Sequence, residues 1–180
     1  SAAVLGAGAA QAVATLRDCG ADHIFVADAP ALQPYSSLRW ARTLSALIAA
    51  RKPAAVLMSV SALSRDLAGR LAARAGGALA SDCVELAVEG GTFKLVRPIL
   101  GGRARTRAEY SGPAPPFATL RPNVFAAGKA AQPGAGSVEA LAVAEDPLDL
   151  RVLVKEVVAV AAERPELPEA RIVVSGGRSL

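Results

Sequence analysis

The stretch from Ala54 to Gly77 reads AAVLMSVSALSRDLAGRLAARAGG, and it predicts one strand followed by one helix. The run AAVLMSV has no polar alternation, which is typical of a parallel strand that is buried on both faces. In the part that follows, Ser64 is the predicted N-cap, and Gly76 with Gly77 forms the predicted end of the helix. The stretch therefore indicates a strand–helix unit of an α/β domain.

Two similar units precede this stretch. Residues 2–8, AAVLGAG, predict a strand that ends in small residues, and the helix after it ends at Gly20. HIFVAD at 23–28 predicts the next strand, and SSLRWARTLSALIAARK at 36–52 carries apolar residues at helical spacing. Strands and helices that alternate in units of about 30 residues indicate an α/β fold with a parallel sheet and right-handed crossovers.

The sequence after Gly77 changes in character. Residues 83–100, CVELAVEGGTFKLVRPIL, predict two strands joined by a hairpin at Glu89–Gly91. Small residues dominate 126–137, AAGKAAQPGAGS, which is the predicted linker. Three further strands are predicted at 138–143, 151–161 and 171–177.

Composition excludes several classes of protein. The chain has 180 residues, of which 52% are hydrophobic, and its mean hydropathy of +0.35 excludes a disordered chain. We expect no membrane insertion, because no uncharged apolar run is long enough to span a bilayer, and no signal peptide, because the start lacks a basic lead-in. The net charge is +4 but aromatic residues make up only 4%, so we expect no binding of nucleic acid.

The sequence offers no catalytic or metal cluster by spacing. Cys19 and Cys83 are far apart, and His23 is the single histidine, so these residues predict no metal site. A Ser-His-Asp triad would have to use His23, and we interpret that residue as an ordinary residue at the edge of a strand.

Two basic or glycine-rich features have both a functional and a structural interpretation. Arg103, Arg105 and Arg107 would share one face of a strand and could bind an anion or an acidic partner, but the favoured interpretation is a solvated sheet face. The segment VLGAG from Val4 to Gly8 resembles a phosphate loop, but it lacks the third glycine, a lysine and a following acidic residue at the expected distance.

The chain ends in ARIVVSGGRSL, a β-branched strand that leads into a two-glycine turn. Gly176 and Gly177 permit a tight turn, and Arg178 would place a guanidinium there that suits bidentate contact with a diphosphate. A plain turn at the end of a strand is the alternative.

Four segments together resemble the α subunit of electron-transfer flavoprotein. They are RDLAGRLAARAGGALASDCVEL at 65–86, VRPILGGRA at 96–104, ATLRPNVFAA at 118–127 and ERPELPEARIVVSGGR at 163–178. The resemblance implies a Rossmann-like (adenine nucleotide alpha hydrolase-like) fold, with a mostly parallel sheet, helices on both faces and an antiparallel extension. It also implies an electron carrier with no catalytic residues of its own.

The resemblance implies a heterodimer with a β subunit and an FAD cofactor in the complete protein. Electrons would pass from acyl-CoA or other flavin dehydrogenases to a quinone oxidoreductase or a similar acceptor. Arg178 corresponds to the family's FAD diphosphate ligand, with Gly176 and Gly177 in the turn. The implied location is the cytoplasm in a bacterium, or the mitochondrial matrix in a eukaryote.

The resemblance also implies a division of the chain. Residues 1–165 would be the N-terminal domain, without the first strand and helix of the family, and 166–180 the start of the FAD-binding domain, so these residues alone are expected to bind no FAD. Ser179 stands where the family usually has glycine, and the arginines at 103–107 are more basic than the family's segment. The alternative function is an AMP-binding module of the same fold, with the nucleotide at Gly6–Gly8 or Ser59–Ser64.

Overall fold

The structure is a computed structural model that describes residues 1–126, 128–134, 136–143, 145–158, 167 and 170–177. Its strands are β1 Ala2–Leu5, β2 His23–Ala27, β3 Val56–Ser59, β4 Leu79–Cys83, β5 Glu85–Glu89, β6 Thr92–Ile99, β7 Ala104–Glu109, β8 Phe117–Leu120 and β9 Ser137–Ala140. Its α-helices are α1 Val13–Asp18, α2 Ser37–Arg51 and α3 Ala62–Ala75, with 3-10 turns at Ala9–Ala12, Pro30–Leu32, Leu100–Gly102 and Pro147–Arg151.

The parallel strands form two groups of three. One sheet has the order β1-β2-β9 and the other the order β3-β8-β4, and every neighbouring pair within them is parallel. Strand β2 is the buried centre of the first sheet, since four of its five residues are buried. The prediction of an α/β fold with parallel strands is confirmed, and these strands form two sheets in which β1 and β3 are edge strands.

The main core lies between the helices α2 and α3 and the second parallel sheet. Its buried members are Ala41, Leu67, Leu71, Ala72 and Phe117. The helical spacing of Leu67, Leu71 and their neighbours places an apolar stripe of α3 against β8, as the sequence pattern predicts. The strand predicted in residues 54–60 is present as β3, but the prediction that it is buried on both faces is wrong. Strand β3 lies at the edge of its sheet and Leu57 is 46% exposed.

The ends of α3 follow the predicted chemistry, with one correction. The N-cap is Ser61 and not Ser64, because Ser64 occupies the third helical position and the two serines form a reciprocal capping box. At the other end the helix stops at Gly76, whose φ of 67° is the left-handed conformation that ends many helices. Gly77 comes next, where an added Cβ would lie 2.5 Å from the carbonyl oxygen of Pro115.

The third sheet is antiparallel, with the order β5-β6-β7. The predicted hairpin is confirmed: Glu89 pairs with Thr92, and Gly90 and Gly91 have φ values of 56° and 79°. A type I′ turn requires positive φ at both of its central residues, which explains the glycine pair. The inner face of this sheet packs Leu95 against the second parallel sheet.

The later part of the chain departs from its predicted elements. The segment at 126–137, predicted as a linker, is anchored on the end of α1, because Ala130, Gly134 and Gly136 donate backbone hydrogen bonds to residues 17–21. The strand predicted at 138–143 is present as β9. In the described parts of 151–161 and 171–177, no strand forms, because no neighbouring strand pairs with these exposed segments. The proposed boundary at residue 165 stays a prediction.

Candidate functional site

The predicted flavin-binding turn lies on an exposed segment. Gly176 and Gly177 are both exposed, and an added Cβ on Gly177 would meet no atom within 4 Å. Residues 173–177 have neither turn, bend nor strand in the structure, so the tight turn and its role in holding a diphosphate stay predictions. Arg178 lies outside the described residues, so its predicted contact with the diphosphate stays a prediction.

The glycine loop after β1 already holds an internal anion. The carboxylate of Asp28, at the end of β2, accepts hydrogen bonds from the backbone N–H of Gly8 at 2.8 Å and of Ala10 at 3.2 Å. A phosphate loop needs such N–H groups free to bind the ligand, and a carboxylate beside them repels a phosphate. The geometry of this loop therefore weighs against an adenylate at Gly6–Gly8.

The start of α3 is satisfied in a similar way. The backbone N–H of Ser64 donates to Ser61 Oγ at 3.1 Å, and the backbone N–H of Ser61 donates to Ser64 Oγ at 2.8 Å. Both hydroxyls are turned towards the backbone of their own helix. This arrangement weighs against the second nucleotide position, at Ser59–Ser64.

Two of the family segments are joined by an ion pair. Arg121 contacts both carboxylate oxygens of Asp82, with Nε–Oδ1 at 3.0 Å and Nη2–Oδ2 at 2.6 Å. Asp82 has a φ of 60° and its backbone N–H donates to Thr119 Oγ1 at 2.8 Å. The hydrogen bonds from Arg121 lower the pKa of Asp82 below its ordinary value, and the charges of Arg65 and Arg97 add to this effect. These segments thus fix the geometry where β4 and β8 end.

Sequence reasoning missed a second ion cluster, which anchors the 3-10 turn at Pro147–Arg151 on α2. The side chain of Asp149 is 1% exposed and accepts hydrogen bonds from Arg39 Nε at 3.1 Å and from Arg42 Nη1 and Nη2 at 3.0 and 2.7 Å. These bonds, with that from Arg42 the strongest, lower the pKa of Asp149 from 3.8 to about 2. Only the sequence Asp146-Pro147 hinted at this turn, since Asp before Pro suits a helix start.

Two of the three predicted arginines, Arg105 and Arg107, lie on one face of β7, whereas Arg103 precedes the strand at the end of the 3-10 turn. Arg103, Arg105 and Arg107 are exposed, and Arg105 pairs with Glu85 at 3.1 Å across the sheet. Lys94 on the same face pairs with Glu89 at 2.6 Å. The mixture of both signs supports the interpretation as a solvated sheet face.

The remaining polar candidates form no catalytic centre. His23 Nδ1 lies 2.7 Å from Ser137 Oγ, but the Ser137 hydroxyl donates to the carbonyl oxygen of Asp22 and both side chains are exposed.

Cys19 is exposed and Cys83 is buried. Within the described ranges, no group of three or more His, Cys, Asp or Glu side chains could hold a metal ion. The described helices include none that is long and apolar enough to cross a membrane.

Comparisons with known proteins agree with the motifs. Residues 1–146 match the model of the electron transfer flavoprotein domain. Electron transfer flavoprotein subunit alpha of Bacillus subtilis is 35% identical over 161 residues, which are 89% of this chain and 49% of that protein. The protein of the same name from Syntrophomonas wolfei is 35% identical over 178 residues, 99% of this chain and 55% of that protein. Protein FixB of Clostridium saccharobutylicum is 32% identical over 173 residues, 94% of this chain and 51% of that protein. The chain thus spans about half the length of these relatives.

Proposed function

Because this chain belongs to the electron transfer flavoprotein family, we propose that it is the N-terminal part of an α subunit. Residues 1–165 form its N-terminal domain, which we call the base domain, and 166–180 begin the flavin-binding domain. The observation that carries this proposal is the 35% identity to an α subunit over 99% of the chain. The complete protein pairs with a β subunit, works in the cytoplasm of a bacterium or the mitochondrial matrix of a eukaryote, and carries electrons without catalysing a substrate reaction.

The flavin supplies the electron-carrying chemistry when it is bound, and the protein positions it. In this chain, Gly176 and Gly177 are exposed and Arg178 supplies a positive charge, so these three residues would hold the diphosphate of FAD. One turn and one guanidinium are too little to retain FAD alone. The donors are acyl-CoA or other flavin dehydrogenases, and the acceptor is a quinone oxidoreductase or a similar protein.

The Asp28 carboxylate bound at the loop Gly6–Gly8 and the capping box of Ser61 and Ser64 support a structural role for the α/β domain. At the two places where the alternative function would put an AMP, side chains of this chain already bind backbone N–H groups: Asp28 binds that of Gly8, and the hydroxyls of Ser61 and Ser64 bind each other's. The base domain therefore acts through its surfaces and through the segment that leads to the flavin turn.

The test uses the purified chain and the β subunit from the same organism. We expect a 1:1 complex by size-exclusion chromatography with light scattering, and no visible absorbance after the chain alone is incubated with FAD and desalted. Failure to bind the β subunit would refute the base-domain role. Stoichiometric flavin on the chain alone would refute the assignment of the flavin site to the incomplete turn at 176–178.

A further inference from the structure

Three arginines and one aspartate lie where the second parallel sheet ends. Arg121 directly follows β8, Asp82 is near the end of β4, Arg97 is on β6 and Arg65 is in the first half of α3. We call these four residues the strand-end cluster. The cluster is at the carboxyl ends of the parallel strands, which is the edge where open α/β sheets bind their ligands.

Backbone hydrogen bonds make the segments that carry this cluster direct neighbours. In each bond an N–H donates to a carbonyl oxygen, and the pairs are Val60 with Leu120 at 2.8 Å, Arg121 with Cys83 at 2.9 Å and Val84 with Val96 at 2.8 Å. The start of α3, the ends of β4 and β8 and the middle of β6 therefore meet in one place. Arg97 also shares the inner face of β6 with Leu95, which is buried against the second parallel sheet.

Several guanidinium donors of the cluster have no acceptor. Asp82 binds Nε and Nη2 of Arg121, at 3.0 and 2.6 Å, which leaves Nη1 for another acceptor. Among the residues that the structure describes, the side chains of Arg65 and Arg97 make no hydrogen bond or ion pair. Nε of Arg97 is buried, and a buried donor costs free energy unless an ion or a water satisfies it. The cluster thus has donors for an acceptor that the described residues do not supply.

The charges of the cluster do not cancel. Three guanidinium groups stand against one carboxylate, so the net charge is +2. The pKa of Asp82 is lowered first by the hydrogen bonds from Arg121, and further by the charges of Arg65 and Arg97, so all three arginines act at one place. The loop at Gly8 differs, since a carboxylate already occupies its backbone N–H groups.

We propose that the strand-end cluster binds a doubly charged oxyanion of the phosphate monoester class, held between Arg65, Arg97 and the Nη1 group of Arg121. A dianion matches the net charge of +2, and its oxygens suit the planar, forked donors of guanidinium groups. A singly charged oxyanion of the same shape compensates only half of that charge. The side chain of Arg121 is 42% exposed, so the anion enters from solvent. The proposed site uses none of the residues 176–178, so it is independent of the proposed flavin contact.

The probe is methyl phosphate, which is mainly a dianion at about pH 7.5 because the second pKa of a phosphate monoester is near 6. Its phosphorus NMR signal, followed during titration with the 180-residue chain at constant ionic strength, reports binding directly. We expect a saturable broadening with 1:1 stoichiometry. Methyl sulfate has the same shape but one negative charge, and we expect it to displace methyl phosphate with about tenfold lower affinity.

The matched variants lie at opposite ends of α3. Arg65→Gln and Arg74→Gln each remove one exposed positive charge from the same helix, but only Arg65 belongs to the strand-end cluster. We expect Arg65→Gln to weaken the binding of methyl phosphate about tenfold, and Arg74→Gln to leave it within about twofold. Arg97→Gln removes the buried guanidinium donor and its charge, and it should also weaken binding about tenfold.

Three outcomes would overturn the proposal. One is the absence of any broadening at concentrations of methyl phosphate up to about 20 mM, which is well above a millimolar dissociation constant. Another is equal affinity for methyl phosphate and methyl sulfate, which would reject the selection of a dianion. The third is an equal effect of Arg65→Gln and Arg74→Gln, which would assign the binding to the overall charge of +4. Because Arg65 is exposed, this comparison stays decisive even if Arg97→Gln fails to fold.

Discussion

Replacement of Asp149 by asparagine tests the ion cluster that anchors residues 147–151 on α2. In the folded chain the carboxylate is buried and accepts three hydrogen bonds from Arg39 and Arg42. The pKa falls from 3.8 to about 2, which corresponds to about 2 kcal/mol of folding free energy at neutral pH. We expect Asp149→Asn to lower the free energy of unfolding in urea at pH 7 by about 2–3 kcal/mol.

The pH dependence separates this cause from a loss of packing. A carboxyl group whose pKa is depressed by folding stabilises the protein fully above its unfolded pKa, near 3.8, and loses that contribution as the pH falls through about 2. The difference in unfolding free energy between the unaltered chain and Asp149→Asn should therefore shrink from pH 5 to pH 2.

The control is Asp146→Asn. Asp146 lies 3.3 Å from Arg42, its side chain is 34% exposed, and an asparagine can still accept the bond from the backbone N–H of Leu148. We expect a loss below about 1 kcal/mol. The reasoning is wrong if the two variants lose equal stability, or if the deficit of Asp149→Asn is the same at pH 2 and pH 7.

Other measurements address separate features of the chain. In the full-length protein, Arg178→Ala should weaken FAD retention by about 1.5–3 kcal/mol, measured by equilibrium dialysis, and unchanged affinity would reject the contact with the diphosphate. Gly77→Ala should lower the free energy of unfolding in urea by about 1–3 kcal/mol, because the new Cβ would meet a backbone oxygen at 2.5 Å. Gly69→Ala, in the exposed middle of α3, is the control and should raise that free energy by about 0.5–1 kcal/mol. A change of the same sign in both variants would contradict this explanation. Under native conditions a thiol reagent should modify Cys19 and spare Cys83, since Cys83 is buried and burial raises its pKa; rapid modification of two thiols would show that the core around β4 opens easily.

The sequence predicts the elements whose causes are local. The mainly apolar run at 54–60, the stop at Gly76 and the glycine pair of the hairpin each depend on neighbouring residues, so their patterns suffice to predict a strand, a helix end and a turn. The burial of the strand depends on distant neighbours and was predicted wrongly. The prediction of Ser64 as N-cap was wrong: Ser61 occupies that position, and Ser64 is its partner in the capping box.

The features that sequence reasoning missed depend on contacts between distant residues. Asp149 meets Arg42 across 107 positions, and Asp82 meets Arg121 across 39. No periodicity or spacing encodes such pairs. The segment at 126–137 has the composition of a linker, but its backbone bonds to the end of α1 can be recognised only in three dimensions.

The carboxylate of Asp28 competes with any free anion for the backbone N–H groups of Gly8 and Ala10. The carboxylate is tethered to the loop by the fold itself, so its effective concentration is in the millimolar range or above. A free nucleotide would have to displace a ligand that never diffuses away, and would do so against charge repulsion. The two hydrogen bonds therefore serve to tie the loop after β1 to the end of β2.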